Sequence, residues 1–557
     1  MRSIPPTLLA ALLLAPACRN ASVPTEEEAP FEEPAWRDAS PPAVDSPAPV
    51  LKRLTQTQYT NALTELFGDA LVLPTSLEPD QSVDGLLVVG SSVTSVSPRG
   101  VEQYEEAALD VAEQVTTDPT LRAALIPCTP DGAFDDGCAG EVLSALAPRA
   151  WRRPLTEREL DKLVDLAGVA GATMDDFYVG LSFAINAVLQ SPHFLYRIEL
   201  GEDDPDRPGY RRYTDWEMAS RLSFFLWNTL PDAELNAAAA AGELSDDDGI
   251  AAQVDRMLAD PKARAGLRNF FTELYHLYDL DRLSKDPEVF LYMSDDIGPS
   301  SREETLMNIE QVVFEEDGDW RDLLISERTF IDRTLAAIYN VQAPASEGFA
   351  EVWLDPADGR RGLLGQVSLL SLYAHATSTS VTRRGIFVRE TMLCQVIPSP
   401  PANVDTSIPE ADAAAPTMRD RVATHLEDPS CASCHLLTDP IGLGLENFDG
   451  LGLWRETENS VDIDASGDLD GAEFTDAWGL AEAVRDHPDL VPCLVENVYR
   501  YANAHAFDSG ERDLVSWHAQ GFEVGGYRML ALLRDVAVGP GFRRVGDPPT
   551  LGGEAQQ

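Results

Sequence analysis

The chain has 557 residues, more than a single hydrophobic core usually serves, so several domains are expected. Hydrophobic residues make up 44% and charged residues 24% of the chain, which excludes wholesale disorder. The 93 acidic residues outnumber the 42 basic ones and give a formal net charge of −51, which repels polyanions and argues against nucleic acid as a partner.

The N-terminal segment has the pattern of a secretory signal. Arg2 precedes a short apolar run from Thr7 to Ala15, which is too short to span a membrane. Cys18 follows directly and resembles the lipid-attachment site of bacterial lipoproteins, so residues 1–18 predict export either with a lipid anchor at Cys18 or by simple secretion. Residues 19–50 are rich in proline, alanine and acidic residues and are expected to form a disordered tether.

Helical spacing dominates the chain after residue 50. Leu54, Tyr59, Leu63 and Phe67 lie on one face at the helical period, whereas strand-like alternation is rare. A mainly α, multi-domain protein is therefore predicted. The predicted helical modules are residues 51–125, 126–205, 206–345, 346–460 and 461–545, followed by a disordered tail at 546–557.

Capping boxes predict where three of these helices begin. In this motif a serine or threonine precedes the helix and a glutamate follows three residues later, so that each side chain bonds the other's backbone N–H. The three pairs are Thr156 with Glu159, Thr214 with Glu217, and Ser301 with Glu304.

Seven cysteines must be accounted for in an exported chain. Cys128 and Cys138 bracket a short loop, so a local disulfide between them is expected. With Cys18 assigned to lipid and two cysteines to the motif described next, Cys394 and Cys493 remain to pair with each other.

Cys431, Cys434 and His435 form a C-x-x-C-H motif, the pattern of covalent c-type haem attachment. Two intervening residues on a helical turn place both thiols on one side of the porphyrin, and the next residue directs its imidazole at the iron. We therefore predict one haem c, with Cys431 and Cys434 as its thioethers and His435 as the proximal ligand. The haem module, residues 346–460, is expected to be cytochrome c-like.

Three other interpretations of the motif are open. A structural disulfide between Cys431 and Cys434 leaves His435 unexplained. A zinc site needs a further ligand such as His425 or Cys394, since no second C-x-x-C is present. A thioredoxin-like redox pair requires a βαβ setting, which the helical surroundings do not offer.

The sixth iron ligand is not identified by spacing. Met418, His425, Met529 and His505 are all chemically able to bind iron. A five-coordinate iron is also open, and it would favour peroxide or small-ligand chemistry over simple electron transfer.

Residues 462–473 match the spacing of an EF-hand calcium loop, with oxygen-bearing side chains at the expected positions and Gly467 at the turn. The residues before Asp462 do not have the pattern of an entering amphipathic helix. An acidic turn or hairpin is therefore preferred over a calcium site.

The motif segment from Cys431 to Asp449, continuing to Arg455, resembles the planctomycete cytochrome C proteins. This PSD/PSCyt-type multi-domain family, also common in myxobacteria, consists of domains of unknown function with one C-x-x-C-H motif. The resemblance covers nearly the whole chain. It also rests on the stretches Arg53 to Tyr59, Arg152 to Glu157, Ser191 to Arg197, Ser220 to Trp227, Arg361 to Gly365, Arg383 to Gly385, and Tyr499 to Ala504.

The resemblance implies haem binding without implying an activity. It weakens the calcium interpretation further, and it suggests that Asp439 and Pro440 shape the proximal side of the haem. We expect a backbone carbonyl near Pro440 to hold the ring N–H of His435. Where relatives usually have leucine-glycine-arginine, this chain has Asn503-Ala504-His505, so His505 gains no support as a ligand.

Three functions are considered. The first is an exported one-haem electron-transfer protein with an unidentified redox partner, located in the periplasm or at the outer-membrane or cell surface, and membrane-bound only through a lipid anchor. The second is a haem peroxidase or oxidase, an oxidoreductase, although dihaem peroxidases need two haem motifs. The third is a surface binding or scaffold protein without a redox role. His193 and His375 are interpreted as satisfied core or surface histidines rather than as catalytic bases.

Overall fold

Helices carry most of the chain in the computed structural model, which describes residues 40–205, 207–398, 411–423, 426 and 429–548. The predicted mainly α class is confirmed. In chain order the first helices are α1 (Gln56–Phe67), α2 (Leu87–Val93), α3 (Pro98–Thr117), α4 (Pro119–Leu125), α5 (Asp136–Trp151), α6 (Glu157–Met174), α7 (Phe177–Gln190) and α8 (Pro192–Leu195). The middle helices are α9 (Asp215–Leu226), α10 (Ala233–Ala241), α11 (Asp247–Ala259), α12 (Lys262–Leu274), α13 (Ile297–Glu310) and α14 (Arg333–Tyr339).

The C-terminal half adds further helices and the segment that carries the C-x-x-C-H motif. These helices are α15 (Val367–Leu372), α16 (Val381–Ile386), α17 (Met418–Ala423), α18 (Pro429–Leu443), α19 (Ala477–Arg485), α20 (Leu490–Asn503), α21 (Arg512–Val524), α22 (Met529–Val538) and α23 (Pro540–Arg543). A π-helical turn, Phe387–Met392, extends α16.

The strands are short, and they pair either as local hairpins or between segments that are distant in the chain. They are β1 (Lys52–Arg53), β2 (Tyr196–Arg197), β3 (Glu202–Asp203), β4 (Arg211–Arg212), β5 (Arg328–Ile331), β6 (Ala350–Trp353), β7 (Thr457–Glu458), β8 (Val461–Asp462), β9 (Gly467–Leu469), β10 (Ala472–Phe474) and β11 (Arg544–Val545). All pairings are antiparallel: β1 with β2, β4 with both β3 and β11, β5 with β6, β7 with β8, and β9 with β10. The β4–β11 pair joins segments more than 300 residues apart.

Two large hydrophobic cores cross the predicted module boundaries. One core is built from α1 and from α3 to α8, so the segments 51–125 and 126–205 share it. The larger core runs from Val44 to Val545 and takes in most of the remaining helices. The boundaries themselves stay predictions.

Residues 40–50, which we expected to belong to a disordered tether, lie against the fold. Val44 is buried in the larger core, and the Pro47 carbonyl accepts a hydrogen bond of 2.8 Å from the Gly546 N–H. A proline-rich segment too polar to build a core can still lie in an extended conformation on an existing one. The rest of the predicted tether and the signal segment with Cys18 lie outside the described residues.

Two of the three predicted capping boxes are confirmed, at Thr156 before α6 and at Thr214 before α9. The third is wrong, because α13 begins earlier and places Ser301 within the helix, where its hydroxyl donates to the Gly298 carbonyl. Glu304 is fully buried instead of capping, and its carboxylate accepts from Thr329 and Tyr339.

Candidate functional site

The three residues of the C-x-x-C-H motif lie on α18. Cys431, Cys434 and His435 are spaced i, i+3 and i+4, which places them on one face of the helix. All three side chains are partly exposed. The helical setting predicted for the motif is therefore present, and a ligand on this face could reach both thiols and the imidazole.

The described cysteines separate into paired and unpaired ones. Disulfides join Cys128 to Cys138 and Cys394 to Cys493, which confirms both predicted pairs. Cys431 and Cys434 are free thiols, so the structural-disulfide interpretation of the motif is not supported.

The zinc and thioredoxin interpretations also lose support. Cys394 is committed to its disulfide, His425 lies outside the described residues, and within the described chain no group of three or more His, Cys, Asp or Glu side chains could hold a metal ion. Burial, and then the neighbouring Asp439 carboxylate, raise the pKa of the Cys434 thiol. A redox-active cysteine pair needs the opposite shift, since the thiolate is its reactive form.

His435 is oriented by a carboxylate one turn further along α18. Its Nδ1 lies 2.7 Å from the Oδ2 atom of Asp439. This corrects our expectation that a backbone carbonyl near Pro440 holds the ring: the i, i+4 spacing brings the side chain of Asp439 to that nitrogen instead. With Nδ1 donating to the carboxylate, Nε2 is the nitrogen that carries the lone pair and can bind a metal.

Asp439 is itself held in place. Only 3% of it is exposed, and its other oxygen, Oδ1, accepts a hydrogen bond of 2.9 Å from the hydroxyl of Thr382 at the start of α16. The hydroxyl of Thr438 also donates to Oδ1, at 3.3 Å, and a buried carboxylate with three such partners cannot rotate freely. The orientation of the His435 ring is thus set in part from a second helix.

Two glycines allow α16 and α18 to cross at close range. A β-carbon at Gly385 would collide with the Thr438 carbonyl, and one at Gly442 would collide with the Val381 carbonyl. This close crossing explains why Thr382 reaches Asp439. Gly385 lies in one of the stretches on which the family resemblance rests, and the structure gives it a packing role.

Two buried arginines fix the segments around the motif. Arg384 donates to the carbonyls of Leu445, Phe448 and Asp449, which anchors the loop that follows α18. Arg389, on the π-helical turn, donates to the Leu437 carbonyl at 3.0 Å and pairs with Asp470 at 2.7 Å. π-helical turns frequently occur at functional sites, since they reposition a side chain relative to a regular helix.

The chemistry of this face fits a covalently attached haem. It offers two thiols for thioether bonds and an imidazole with its metal-binding nitrogen defined. Leu436, which follows His435 in the chain, is 60% exposed. An exposed leucine next to the motif suits an apolar macrocycle.

Among the described residues, no contact places a candidate sixth ligand beside His435. Met418 is buried with Leu443, which lies eight residues, or about 12 Å, beyond His435 along α18. Met529 is buried in the larger core, on α22. The Nδ1–H of His505 donates a hydrogen bond of 2.7 Å to the Ala506 carbonyl. The identity of the sixth ligand stays a prediction.

The calcium-like segment forms hairpins rather than the helix–loop–helix of an EF-hand. β7 pairs with β8, and β9 pairs with β10 within residues 457–474. Asp470, at the turn between β9 and β10, is paired with Arg389, which lowers the pKa of this carboxyl to about 2. The preferred hairpin interpretation is confirmed.

Four family models match the chain, each described as a protein of unknown function. PSD3 (DUF1587) matches residues 52–117, PSD5 (DUF1595) residues 138–199, PSD4 (DUF1592) residues 213–341, and PSCyt3 (DUF1588) residues 360–458. The chain belongs to the planctomycete cytochrome C family. The PSCyt3 match includes α16, α18 and the whole C-x-x-C-H motif.

Other comparisons add no further relative of the chain. No curated protein and no solved structure matches it significantly. Among the described residues, no helix is both long and apolar enough to cross a membrane.

Proposed function

We propose that this protein is an exported c-type cytochrome that carries one haem on Cys431, Cys434 and His435 and exchanges single electrons with a partner protein. The observation that carries this proposal is the His435–Asp439 pair beside two unpaired thiols. Two other cysteine pairs of the described chain form disulfides, whereas these two, three residues apart on one helical face, do not. The haem would supply the one-electron couple.

The protein's own residues would bind and orient that group. Cys431 and Cys434 attach it, His435 binds its iron through Nε2, and Asp439 keeps the proton on Nδ1. Arg384 and Arg389 hold the adjoining segments. Export is supported by the two disulfides, since such bonds persist in oxidising compartments, and by the signal pattern of residues 1–18.

A pyridine haemochrome spectrum tests the proposal. The full chain is produced with a haem-attachment system beside the double variant Cys431→Ser/Cys434→Ser, with Ala432→Ser as the matched control because it leaves both thiols in place. We expect a c-type band in the parent and in the control and no such band in the double variant. Folded parent protein without covalent haem would overturn the proposal and favour the scaffold function.

A second candidate is a peroxidase-type oxidoreductase. The observation in its favour is the carboxylate beside His435, since a hydrogen bond to an anion makes an imidazole a stronger electron donor to iron and stabilises higher oxidation states of the metal. The spin state separates the two candidates. A high-spin ferric spectrum with peroxide-dependent oxidation of a dye supports the enzyme, whereas a low-spin spectrum inert to peroxide supports the electron carrier.

A further inference from the structure

Three stretches that the haem proposal leaves unexplained meet at one cavity. They are the turn after α5 with Arg152 and Arg153, the α8 segment from His193 to Tyr196, and the start of α9 with Trp216 and Ser220. The cavity has a volume of about 430 Å³, within the usual range for small-molecule sites. It lies where the two large cores adjoin, because Trp151 packs against one core and Trp216 against the other.

Three aromatic residues and a histidine form the walls of this cavity. Trp151 is fixed by a 3.0 Å hydrogen bond from its indole nitrogen to the Val188 carbonyl, and its ring lies 5.3 Å from that of His193. Trp216 and Tyr196 make no ring–ring contact within the described chain, although both line the cavity. Flat apolar surfaces of this kind stack against rings of similar size.

Polar groups without protein partners accompany these walls. Within the described residues, neither ring nitrogen of His193 and no hydroxyl of Tyr196 or Ser220 takes part in a hydrogen bond, and the Ser220 hydroxyl is buried. Burial, and then the charge of Arg153, lower the pKa of His193, which favours the neutral ring with its one donor and one acceptor.

The charged side chains around the cavity balance one another, so the cavity has no net charge. Arg153 pairs with Glu159 at 2.7 Å, and Arg152 is buried against backbone carbonyls, its shortest bond going to His193. Glu217 accepts from the Leu200 N–H and caps α9. A cation would meet Arg153, which already lies 5.4 Å from the Trp151 ring, and an anion would meet Glu217. The balance favours an uncharged ligand.

We infer that this cavity, named here the seam cavity, binds a neutral sugar ring of an oligosaccharide. A pyranose has apolar C–H faces that stack on tryptophan and tyrosine, and a rim of hydroxyls that each donate and accept hydrogen bonds. Trp216 and Tyr196 supply the stacking surface, while His193, Ser220 and the Tyr196 hydroxyl meet the rim. This binding site is independent of the proposed haem function.

Saturation-transfer NMR on the full chain tests the inference, with glucose, galactose, mannose, xylose and N-acetylglucosamine and their β-1,4-linked and α-1,4-linked disaccharides as probes. We expect at least one probe to bind with a millimolar dissociation constant. Trp216→Ala should weaken that binding at least tenfold. Trp353→Ala, which removes an exposed tryptophan from β6, is the matched control and should leave it unchanged.

Ser220→Ala provides a variant whose folding is not in question, because the hydroxyl that it removes has no protein partner. It should keep the thermal midpoint of the parent and lower the sugar affinity by three- to tenfold. Two results would overturn the inference: no saturation transfer from any probe to folded protein, or binding that Trp216→Ala and Ser220→Ala both leave intact. Selective binding of tetramethylammonium or benzoate in place of the sugars would also overturn it.

Discussion

Asp439 holds the imidazole of His435 from one helical turn away, and Thr382 on α16 holds Asp439 in turn. His435 is therefore oriented by a buried anion rather than by a neutral carbonyl. An anionic acceptor makes the imidazole a stronger electron donor to the metal, which stabilises the oxidised iron.

Asp439→Asn is expected to raise the reduction potential of the haem-loaded protein. A neutral amide accepts a weaker hydrogen bond, and we expect a shift on the order of 60 mV, equivalent to about 1.4 kcal/mol for one electron. Spectroelectrochemical titration measures it. Thr382→Val removes only the bond to the other carboxylate oxygen and should shift the potential less, whereas Thr382→Ser should not shift it. An unchanged potential in Asp439→Asn would show that the carboxylate has no electronic role.

Glu304→Gln is expected to stabilise the fold at pH 8 more than at pH 5. Burial raises the pKa of Glu304 to about 7 although hydrogen bonds from Thr329 and Tyr339 lower it. The folded state then binds more protons than the unfolded state between pH 4.5 and 7, so wild-type stability falls as the pH rises through this window.

The neutral amide of Glu304→Gln does not titrate, so it contributes no pH dependence to stability. The stability of the variant relative to the parent should therefore increase by up to about 3 kcal/mol between pH 5 and pH 8. Urea unfolding at both pH values measures it. Glu303→Gln, a partly exposed neighbour paired with Arg268, is the control and should show no comparable change. An equal gain at both pH values would mean that Glu304 is ionised in the fold.

The substitution Lys52→Met is expected to raise the free energy of unfolding more at pH 7 than at pH 10. Lys52, Arg197 and Arg221 are buried around the single carboxylate of Glu199, at distances of 2.6–2.7 Å. Burial lowers the pKa of Lys52 to about 7, so the unfolded state binds more protons between pH 7 and 10.5 and wild-type stability rises across that range. The relative advantage of the variant should shrink by up to about 4 kcal/mol from pH 7 to pH 10, as measured by chemical unfolding.

Replacement of Glu199, the single acid of this cluster, is expected to destabilise the protein. Burial alone would raise the pKa of Glu199, but Arg197, Lys52 and Arg221 together hold it well below its usual range. Glu199→Gln leaves the buried guanidinium groups of Arg197 and Arg221, and the charged fraction of Lys52, without a counter-charge and should cost about 3–5 kcal/mol of unfolding free energy at pH 7. A loss below about 1 kcal/mol would mean that water reaches the cluster.

Gly442→Ala is expected to destabilise the protein by about 1–3 kcal/mol or more, because the added methyl group collides with the Val381 carbonyl. Gly140→Ala is the matched control. It also lies within a helix, α5, but a β-carbon there meets only Val164, at 4.0 Å, so it should be neutral or stabilising by about 1 kcal/mol. The midpoints of thermal unfolding of the two variants, followed by circular dichroism, test this prediction. Equal midpoints would contradict the close crossing of α16 and α18.

Local patterns predicted the features that local interactions control. The capping boxes at Thr156 and Thr214 and the helical setting of Cys431 to His435 depend on residues within one turn. The Ser301 prediction failed because Glu304 bonds to Thr329 and Tyr339, which lie 25 and 35 residues away. Similarly, Asp439 lies within one turn of His435, but the role of Thr382, 57 residues before it, depends on a helix crossing that no local pattern encodes.

The disulfide between Cys394 and Cys493 spans 99 residues and encloses all of α18. A single proteolytic cut anywhere between these two cysteines would therefore leave the two fragments joined by a covalent bond. A nicked molecule would migrate as one chain without reductant and as two chains with it, and it would retain the helix that carries the C-x-x-C-H motif until the disulfide is reduced.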